Sequence, residues 1–313
     1  MGPRDKPEDD GFIGTDPSPW NQHLASASRR SLPKVGNEGR SPESPVFTTD
    51  AKSLARMAPT LKRVLIVDPN GTAAKLLAES LKGLGVGEVV HRTEGRVALD
   101  ACRDFEPTLI FTEYKGPNLD GEAFAKAVRR SNLACRKVPI IMITAEATAA
   151  SILGARDSGV HEFLRKPYTS GDLTKRVEVV SLKPRNWIEA VGYVGPDRRR
   201  FNSGEYSGPR KRKADAPKGA GAEAAAKDQA MRILASAHKQ FDSDPVQALR
   251  AIREQATILK AISMKASDTP LVIATSGLER ALAASQPTRE QLAAPVQAVV
   301  TLAAPETRAE LAA

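Results

Sequence analysis

The chain has 313 residues, a formal net charge of +9 and two cysteines. Its length allows two ordinary domains, but the apolar residues are unevenly spread and the first sixty positions offer little to bury. Two cysteines are too few for a disulfide scaffold or a four-cysteine metal site. No run approaches the roughly 18 apolar residues of a membrane span, and the first residues lack the pattern of a secretory signal. We therefore expect a soluble cytoplasmic protein with no bound metal and no resident cofactor.

The positive charge is concentrated in one short stretch. Residues 181–222 carry 10 basic and 4 acidic residues, so this stretch holds +6 of the total of +9. Such a local excess is typical of an anion-binding site rather than of a generally basic surface. We expect a partner that is rich in phosphate.

The chain begins with a segment that is too polar to build a core. Residues 1–60 are rich in Pro, Ser, Gly and charges of both signs, with scattered single hydrophobic residues. Such a segment buries too little surface to offset its ordering entropy. The sequence therefore predicts a disordered tail over residues 1–60.

From Leu61 onward, short apolar runs alternate with segments of helical periodicity. The apolar runs predict strands over Val64–Val67, Val86–Val90, Leu109–Phe111, Val138–Ile143 and Glu162–Leu164. The segments that follow them predict helices over Thr72–Lys82, Arg96–Phe105, Gly121–Arg130, Thr148–Ser158 and Ser170–Val180. Five strand–helix units predict an α/β domain over residues 61–182, in which a doubly wound, five-stranded parallel sheet carries helices on both faces.

Polar side chains stand where four of these strands end. Asp68 follows the first strand, Glu113 the third, Thr144 the fourth and Lys166 the fifth. The carboxyl ends of parallel strands lie at one edge of a doubly wound sheet, and that edge is where such folds bind ligands. We therefore expect these four side chains to lie close together.

Four motifs at this edge, in order and at matching spacing, resemble those of the CheY-like receiver family of response regulators. They are LIVDPN (65–70), FTEYKGPNLDG (111–121), ITAEA (143–147) and LRKPY (164–168). The resemblance covers about residues 61–182 and implies a flavodoxin-like fold. It also implies a phosphorylation site in which an aspartate ends the third strand, an acidic pair follows the first strand and holds Mg²⁺, and a Thr and a Lys contact the phosphoryl oxygens.

The predicted phosphorylation site is degenerate in this chain. The acidic pair is Asp68-Pro69, and Glu113 stands in the place of the acceptor aspartate. Phosphoryl transfer depends on positioning and on metal neutralisation of charge, so a longer nucleophile and a lost metal ligand should both be damaging. We predict that phosphorylation is absent or negligible. Two hypotheses remain for Glu113: its longer carboxylate imitates the phosphorylated state near Thr144 and Lys166, or it is a silent structural partner of Lys166.

The basic stretch has the composition of a ligand clamp. Trp187–Lys213 interleaves basic and aromatic residues, and Gly195-Pro196 and Gly208-Pro209 each turn the backbone just before a basic cluster. Guanidinium groups match phosphate and the edge of guanine, a carboxylate such as Asp197 accepts from guanine N–H groups, and Tyr or Trp rings stack on bases. A ligand with phosphates and guanines would satisfy all three.

The run VGPDRRRFNSGEYSGPRKRK (194–213) resembles the arginine-rich extension of bacterial CheY-like regulators that bind cyclic di-GMP and act on flagellar motility. The resemblance covers about residues 187–213. We predict an arginine-rich ligand-binding segment over residues 183–215 that is disordered when free and folds around the nucleotide. The implied nucleotide contacts are Tyr193, Asp197, Arg198, Arg199 and Arg200, with a second set of Arg210 and Arg212. Two other interpretations stay open: a solvated basic linker without a partner, and a nonspecific contact with RNA or DNA.

The remainder of the chain favours helices. After a linker over residues 216–222, the region 223–313 contains predicted helices that cover Ala222–Phe241, a second segment with apolar positions from Val246 to Ile262, Pro270–Ser285 and Thr288–Ala303. Three or four amphipathic helices predict a small all-α bundle or an arm through which the chain forms a homo-oligomer.

Together these features predict a non-enzymatic signalling adaptor. In this hypothesis the output face is formed chiefly by the fourth and fifth strand–helix units. It engages a protein partner, such as a protein of the flagellar motor, when the arginine-rich segment holds cyclic di-GMP. The alternatives are a phosphorelay response regulator that still accepts phosphate and a nucleic-acid-binding regulator.

Overall fold

The structure, a computed structural model, describes residues 50–198 and 220–303. Its first part contains the strands β1 (Arg63–Val67), β2 (Glu88–Arg92), β3 (Leu109–Glu113), β4 (Lys115–Gly116), β5 (Leu119–Asp120), β6 (Ile140–Thr144) and β7 (Glu162–Arg165). Five of these strands form one parallel sheet in the order β2-β1-β3-β6-β7, while β4 and β5 form a small antiparallel ladder. This is the flavodoxin-like strand order, and it confirms the predicted fold class.

Helices cover both faces of the sheet. They are α1 (Ala51–Leu61), α2 (Gly71–Lys82), α3 (Gly95–Phe105), α4 (Gly121–Arg130), α5 (Ala149–Asp157) and α6 (Ser170–Leu182), and a 3-10 turn, Ala134–Lys137, precedes β6. Side-chain oxygens cap four of these helices at their first turns, because they accept from backbone N–H groups that have no partner inside the helix. The capping residues are Asn70, Asp120, Thr148 and Thr169.

The alternation of side chains along each strand divides the interior into two cores. Leu65 and Val67 face one core together with Phe124, whereas Val64 and Ile66 face the other. Strands that are covered on both sides read as continuous apolar runs, which is why their positions could be predicted from the sequence.

The helix α1 corrects the prediction of a disordered tail over residues 1–60. It packs against α6 and buries Met57 and Leu61 completely, with Leu54 packed beside them. These three apolar residues recur at helical spacing, so residues 51–60 bury enough surface to fold onto the domain. Residues 1–49 lie outside the described part of the chain.

A short hairpin follows the receiver-like domain. The strands β8 (Trp187–Glu189) and β9 (Val194–Pro196) pair antiparallel, and the residues of β9 are buried. The arginine-rich segment was expected to order only around a nucleotide, and for residues 187–196 this expectation is wrong. The hairpin is ordered because Trp187, Glu189 and Tyr193 have partners in the same chain, as described below.

The last part is a closed bundle of four helices. These are α7 (Ala220–Lys239), α8 (Pro245–Lys265), α9 (Thr269–Leu282) and α10 (Arg289–Val300); each packs on the next, and α10 returns to α7. The bundle begins inside the predicted linker 216–222. Its core includes Leu234, Ile252, Leu259, Leu278 and Leu292. Homo-oligomer formation through these helices stays a prediction.

Candidate functional site

The four predicted side chains do share one edge of the sheet. Asp68 follows β1, Glu113 ends β3, Thr144 ends β6 and Lys166 follows β7. The topology places them together, because all four strands run parallel and end at the same edge.

Lys166 is the centre of this group. Its Nζ lies 2.5 Å from Oε2 of Glu113 and 3.3 Å from Oδ2 of Asp68. The remaining oxygens of the two carboxylates accept from backbone N–H groups: Asn70 donates to Asp68 at 2.8 Å and Tyr114 donates to Glu113 at 2.9 Å. Both carboxylates therefore share the ammonium group of Lys166, and each also accepts from one backbone amide.

The charges of this group stabilise the protonated form of Lys166. Burial by itself lowers the pKa of the Lys166 ammonium, but the hydrogen bond and charge of Glu113, together with those of Asp68, outweigh burial and raise it. Lys166 thus stays a cation and neutralises one of the two negative charges. Thr144 is buried beside this edge, and its Oγ1 accepts from the backbone N–H of Glu146 at 3.1 Å.

The group does not fit the Mg²⁺ ion that the resemblance implies. Mg²⁺ needs several oxygen ligands in near-ideal octahedral geometry. Pro69 offers no side-chain oxygen, and its ring packs so closely against Gly116 that a Cβ on the glycine would lie 2.7 Å from it. Within residues 50–198 and 220–303, no group of three or more His, Cys, Asp or Glu side chains is placed to hold a metal ion.

The fold and this polar edge define a receiver-type domain. The response regulator receiver domain model matches residues 64–178. Over 121 residues the chain is 32% identical to the chemotaxis protein CheY1 of Helicobacter pylori, which corresponds to 38% of this chain and 95% of that protein. It is 26% identical over 118 residues to CheY-3 of Vibrio cholerae, covering 38% of this chain and 90% of that protein.

Among solved structures, the chemotaxis response regulator CheY4 of Vibrio cholerae matches with a TM-score of 0.35 and 26% sequence identity, over 38% of this chain and 98% of that one. The 32% identity to CheY1 of Helicobacter pylori, over 95% of that protein, shows that the chain belongs to the response regulator receiver family. The hairpin and the helical bundle lie beyond the matched residues 64–178.

The arginine-rich segment starts at the opposite edge of the sheet. Arg185 donates to the backbone oxygen of His161, which directly precedes β7, whereas Lys166 directly follows β7. Gly159 packs against Val194 of β9 at the same amino-terminal edge. The degenerate acidic site and the hairpin are thus separated by the length of the sheet.

The predicted nucleotide-binding residues have different surroundings. Tyr193 is buried, its hydroxyl donates to the backbone oxygen of Pro196 at 2.6 Å, and burial raises its pKa to about 12. The guanidinium of Arg198 covers the ring at 4.5 Å and pairs with Asp157 at 2.9 Å. Arg198 therefore covers one face of the Tyr193 ring, and the contact of Tyr193 with a nucleotide stays a prediction.

Asp197 lies at the rim of a small polar cavity of about 100 Å³ that is lined by Pro184, Arg185, Asn186 and Asp197. Its backbone N–H donates to Asn186 at 2.8 Å. The cavity is much smaller than a typical cavity for an organic ligand, which is on the order of 300 Å³ or more. Arg199, Arg200, Arg210 and Arg212 lie outside the described residues.

Sequence reasoning missed a buried cationic junction beneath the hairpin. Arg129, at 0% exposure, donates to the backbone oxygens of Gly159, Arg136 and Val138 at 2.7–2.9 Å and contacts Nδ1 of His161 at 3.1 Å. Burial lowers the pKa of Arg129 to about 9. An arginine in the last turn of a helix carries no local signal of burial, so the sequence alone does not reveal this role.

Trp187 packs against this junction rather than facing a ligand. The guanidinium of Arg129 lies 5.3 Å from its ring, that of Arg136 5.9 Å and the ammonium of Lys137 5.7 Å. Its indole N–H donates to Glu189 at 2.8 Å. Because the indole is held by these four partners, the expectation that it stacks on a nucleotide base is not supported by the geometry.

The same junction joins the helical bundle to the receiver domain. Gln247 of α8 donates to the Glu189 carboxylate at 2.8 Å. Two ion pairs flank it: Arg130 with Asp244 at 2.7 Å, and Lys137 with Glu254 at 2.9 Å. The hairpin therefore lies between the receiver domain and the helical bundle and contacts both.

Proposed function

We propose that this protein is a non-enzymatic signalling adaptor, a response regulator that does not accept phosphate normally and that binds cyclic di-GMP through its arginine-rich segment to control a protein partner. The observation that carries the proposal is the position of Lys166 between the carboxylates of Glu113 and Asp68. The domain keeps the receiver fold, but its acceptor position is closed by an internal ion pair.

The chemistry of this edge supports the loss of phosphoryl transfer. An acceptor carboxylate must be free to attack, and the charge on the phosphoryl group must be neutralised by a metal ion. Here Glu113 is held by Lys166 and Tyr114, and Pro69 supplies no metal ligand. The domain then serves as a binding scaffold instead of a phosphorylation switch.

The sequence after the hairpin supports a nucleotide as the replacement signal. Asp197 and Arg198 end the described segment at the surface. More basic residues follow in the sequence: Arg199 and Arg200, the run Arg210 to Lys213, and Lys218. A planar guanidinium matches both phosphate oxygens and the guanine edge, and Asp197 is an acceptor for guanine N–H groups. The concentration of +6 in residues 181–222 favours an anionic ligand.

Arg198 links the predicted nucleotide-binding segment to the predicted partner-binding face. It pairs with Asp157, which is the last residue of α5, and α5 belongs to the predicted output face formed by the fourth and fifth strand–helix units. The side chain of Leu153 on the same helix is exposed and is suited to an apolar contact with a partner. A phosphate that recruits Arg198 would break its pair with Asp157, leave Asp157 paired with Arg156 alone and so change the surroundings of this helix.

Calorimetric titration of the full chain tests the proposal. Cyclic di-GMP should bind at micromolar protein, and GMP or a single-stranded polynucleotide should not compete at equal phosphate concentration. The absence of binding, combined with uptake of label from acetyl phosphate and Mg²⁺, would overturn it in favour of a phosphorelay regulator. Competition by the polynucleotide, with affinity falling steeply as salt rises, would identify a nucleic-acid-binding protein instead.

A further inference from the structure

The two cysteines of the chain, which are 33 positions apart, meet in the core of the receiver domain. Cys102 lies on α3 and Cys135 on the 3-10 turn Ala134–Lys137, and their exposures are 1% and 2%. The thiol of Cys135 donates to the backbone oxygen of Cys102 at 3.7 Å, so the two residues are in direct contact. Both are free thiols in the structure.

The contact polarises the pair. The hydrogen bond to Cys135, followed by burial, raises the pKa of Cys102. The hydrogen bond from Cys102 lowers the pKa of Cys135 despite its burial, with help from its own backbone amide and the charge of Arg129. Cys135 is therefore the thiol that ionises first, with Cys102 next to it as the second thiol.

The turn that carries Cys135 lies partly at the surface. Ala134 and Lys137 are exposed, and Arg136 is partly exposed. A 3-10 segment of four residues is held less firmly than a long helix, because its hydrogen-bond geometry is poorer. A local opening of this turn would bring the Cys135 sulfur to solvent without unfolding the sheet.

The same turn holds the helical bundle in place. Arg136 donates twice to Glu189 of the hairpin, at 2.7 and 3.0 Å, and Lys137 pairs with Glu254 of α8 at 2.9 Å. A change in the position of this turn therefore moves two of the contacts on which the docked bundle depends.

We infer that Cys102 and Cys135 form an oxidisable dithiol, which a small hydroperoxide converts to an internal disulfide during local opening of the 134–137 turn. The Cys135 thiolate attacks one peroxide oxygen, the O–O bond breaks, and a sulfenic acid and water form, with the thiol proton leaving on that water. The Cys102 sulfur then attacks the Cys135 sulfur, the S–O bond breaks, and a second water carries away the remaining proton. Two thiols and one hydrogen peroxide thus give one disulfide and two waters.

The new bond would draw the turn towards α3. Arg136 and Lys137 would move with it, so the hairpin and the start of α8 should lose part of their protection. This consequence distinguishes a disulfide that acts on the junction from one that merely forms.

The experiment exposes the reduced full chain to hydrogen peroxide and counts free thiols under denaturing conditions. The number of free thiols should fall from two to zero while the protein keeps the mass of a monomer. Peptide mapping should find Cys102 joined to Cys135. Hydrogen exchange of residues 185–198 and 244–255 should become several-fold faster in the oxidised protein and return to its original rate after reduction.

Three variants serve as controls. Cys102→Ala and Cys135→Ala should each keep one thiol that forms no internal disulfide, and peroxide should leave the exchange of the junction unchanged. Lys137→Ala, which frees the turn from α8, should speed disulfide formation. The inference would be overturned if both thiols of the folded protein stayed intact under a peroxide treatment that fully oxidises the thiols of a denatured sample. It would also be overturned if the disulfide formed only between chains.

Discussion

The carboxylate of Glu189 accepts two hydrogen bonds from the guanidinium of Arg136, at 2.7 and 3.0 Å, and has 0% of its side chain exposed. Trp187 and Gln247 donate to the same carboxylate. A buried charge is tolerated when it is paired and its lone pairs are satisfied, and it is costly when either condition fails. Because the donors come from the receiver domain, the hairpin and α8, this one carboxylate ties three parts of the chain together.

Replacing this carboxylate should loosen the junction. Glu189→Gln removes the negative charge, leaves the Arg136 cation unpaired in a partly buried site and directs an amide N–H at other donors. We expect a loss of roughly 3 kcal/mol in the free energy of unfolding, the usual cost of breaking a buried ion pair from one side. Denaturant unfolding of the full chain measures it.

A matched control is Glu254→Gln, which breaks the more exposed ion pair with Lys137 at the same junction. Exposed pairs contribute under about 1 kcal/mol, so this variant should unfold close to the wild type. Equal losses in the two variants would show that Glu189 has no special role in the junction.

Acid should weaken the same junction. Burial raises the pKa of Glu189, but the hydrogen bonds from Arg136, Trp187 and Gln247 outweigh burial, and the folded-state pKa lies below its ordinary value of 4.5. A lowered carboxyl pKa stabilises the fold fully above the ordinary value, and this contribution disappears as the pH falls through the folded pKa. Hydrogen exchange of residues 244–255 should therefore accelerate below about pH 4.5 in the wild type, beyond the change in intrinsic rate. In Glu189→Gln this acid-dependent step should be missing; its persistence would assign the effect to another group.

Close packing between Gly159 and the hairpin gives a third prediction. Gly159 has φ +86°, and a Cβ there would lie 2.5 Å from the backbone oxygen of Val194. Gly159→Ala should therefore cost about 2 kcal/mol, through the left-handed backbone and the displacement of β9. Gly192→Ala is the matched control, because a Cβ at that position meets no atom within 4 Å. Its free energy of unfolding should stay within about 0.5 kcal/mol of the wild type.

Thermal unfolding of both variants compares these two effects. Similar melting temperatures for the two variants would contradict a tight contact between Gly159 and β9.

The sequence predicted what depends on local pattern. Apolar runs located the five strands of the main sheet, and the parallel topology then brought Asp68, Glu113, Thr144 and Lys166 to one edge. The contacts of Glu189 could not be predicted in this way, because Arg136 and Gln247 lie 53 and 58 positions away. Aromatic and basic residues within the hairpin have the same composition whether they bind a ligand or pack against a neighbouring domain.

Restoring two aspartates tests whether the receiver domain has lost only its chemistry. Pro69→Asp supplies the missing member of the acidic pair, and Glu113→Asp shortens the acceptor by one methylene, while Thr144 and Lys166 remain. If the scaffold is otherwise intact, the double variant should take up label from acetyl phosphate with Mg²⁺ on the order of 100-fold more than the wild type, because correct placement of reacting groups is worth about that factor. Pro69→Asp alone, which retains the longer acceptor, should stay near the wild-type level. Uptake by the wild type that is well above background and equals that of the double variant would show that Glu113 is a working acceptor and that the ion pair with Lys166 opens readily.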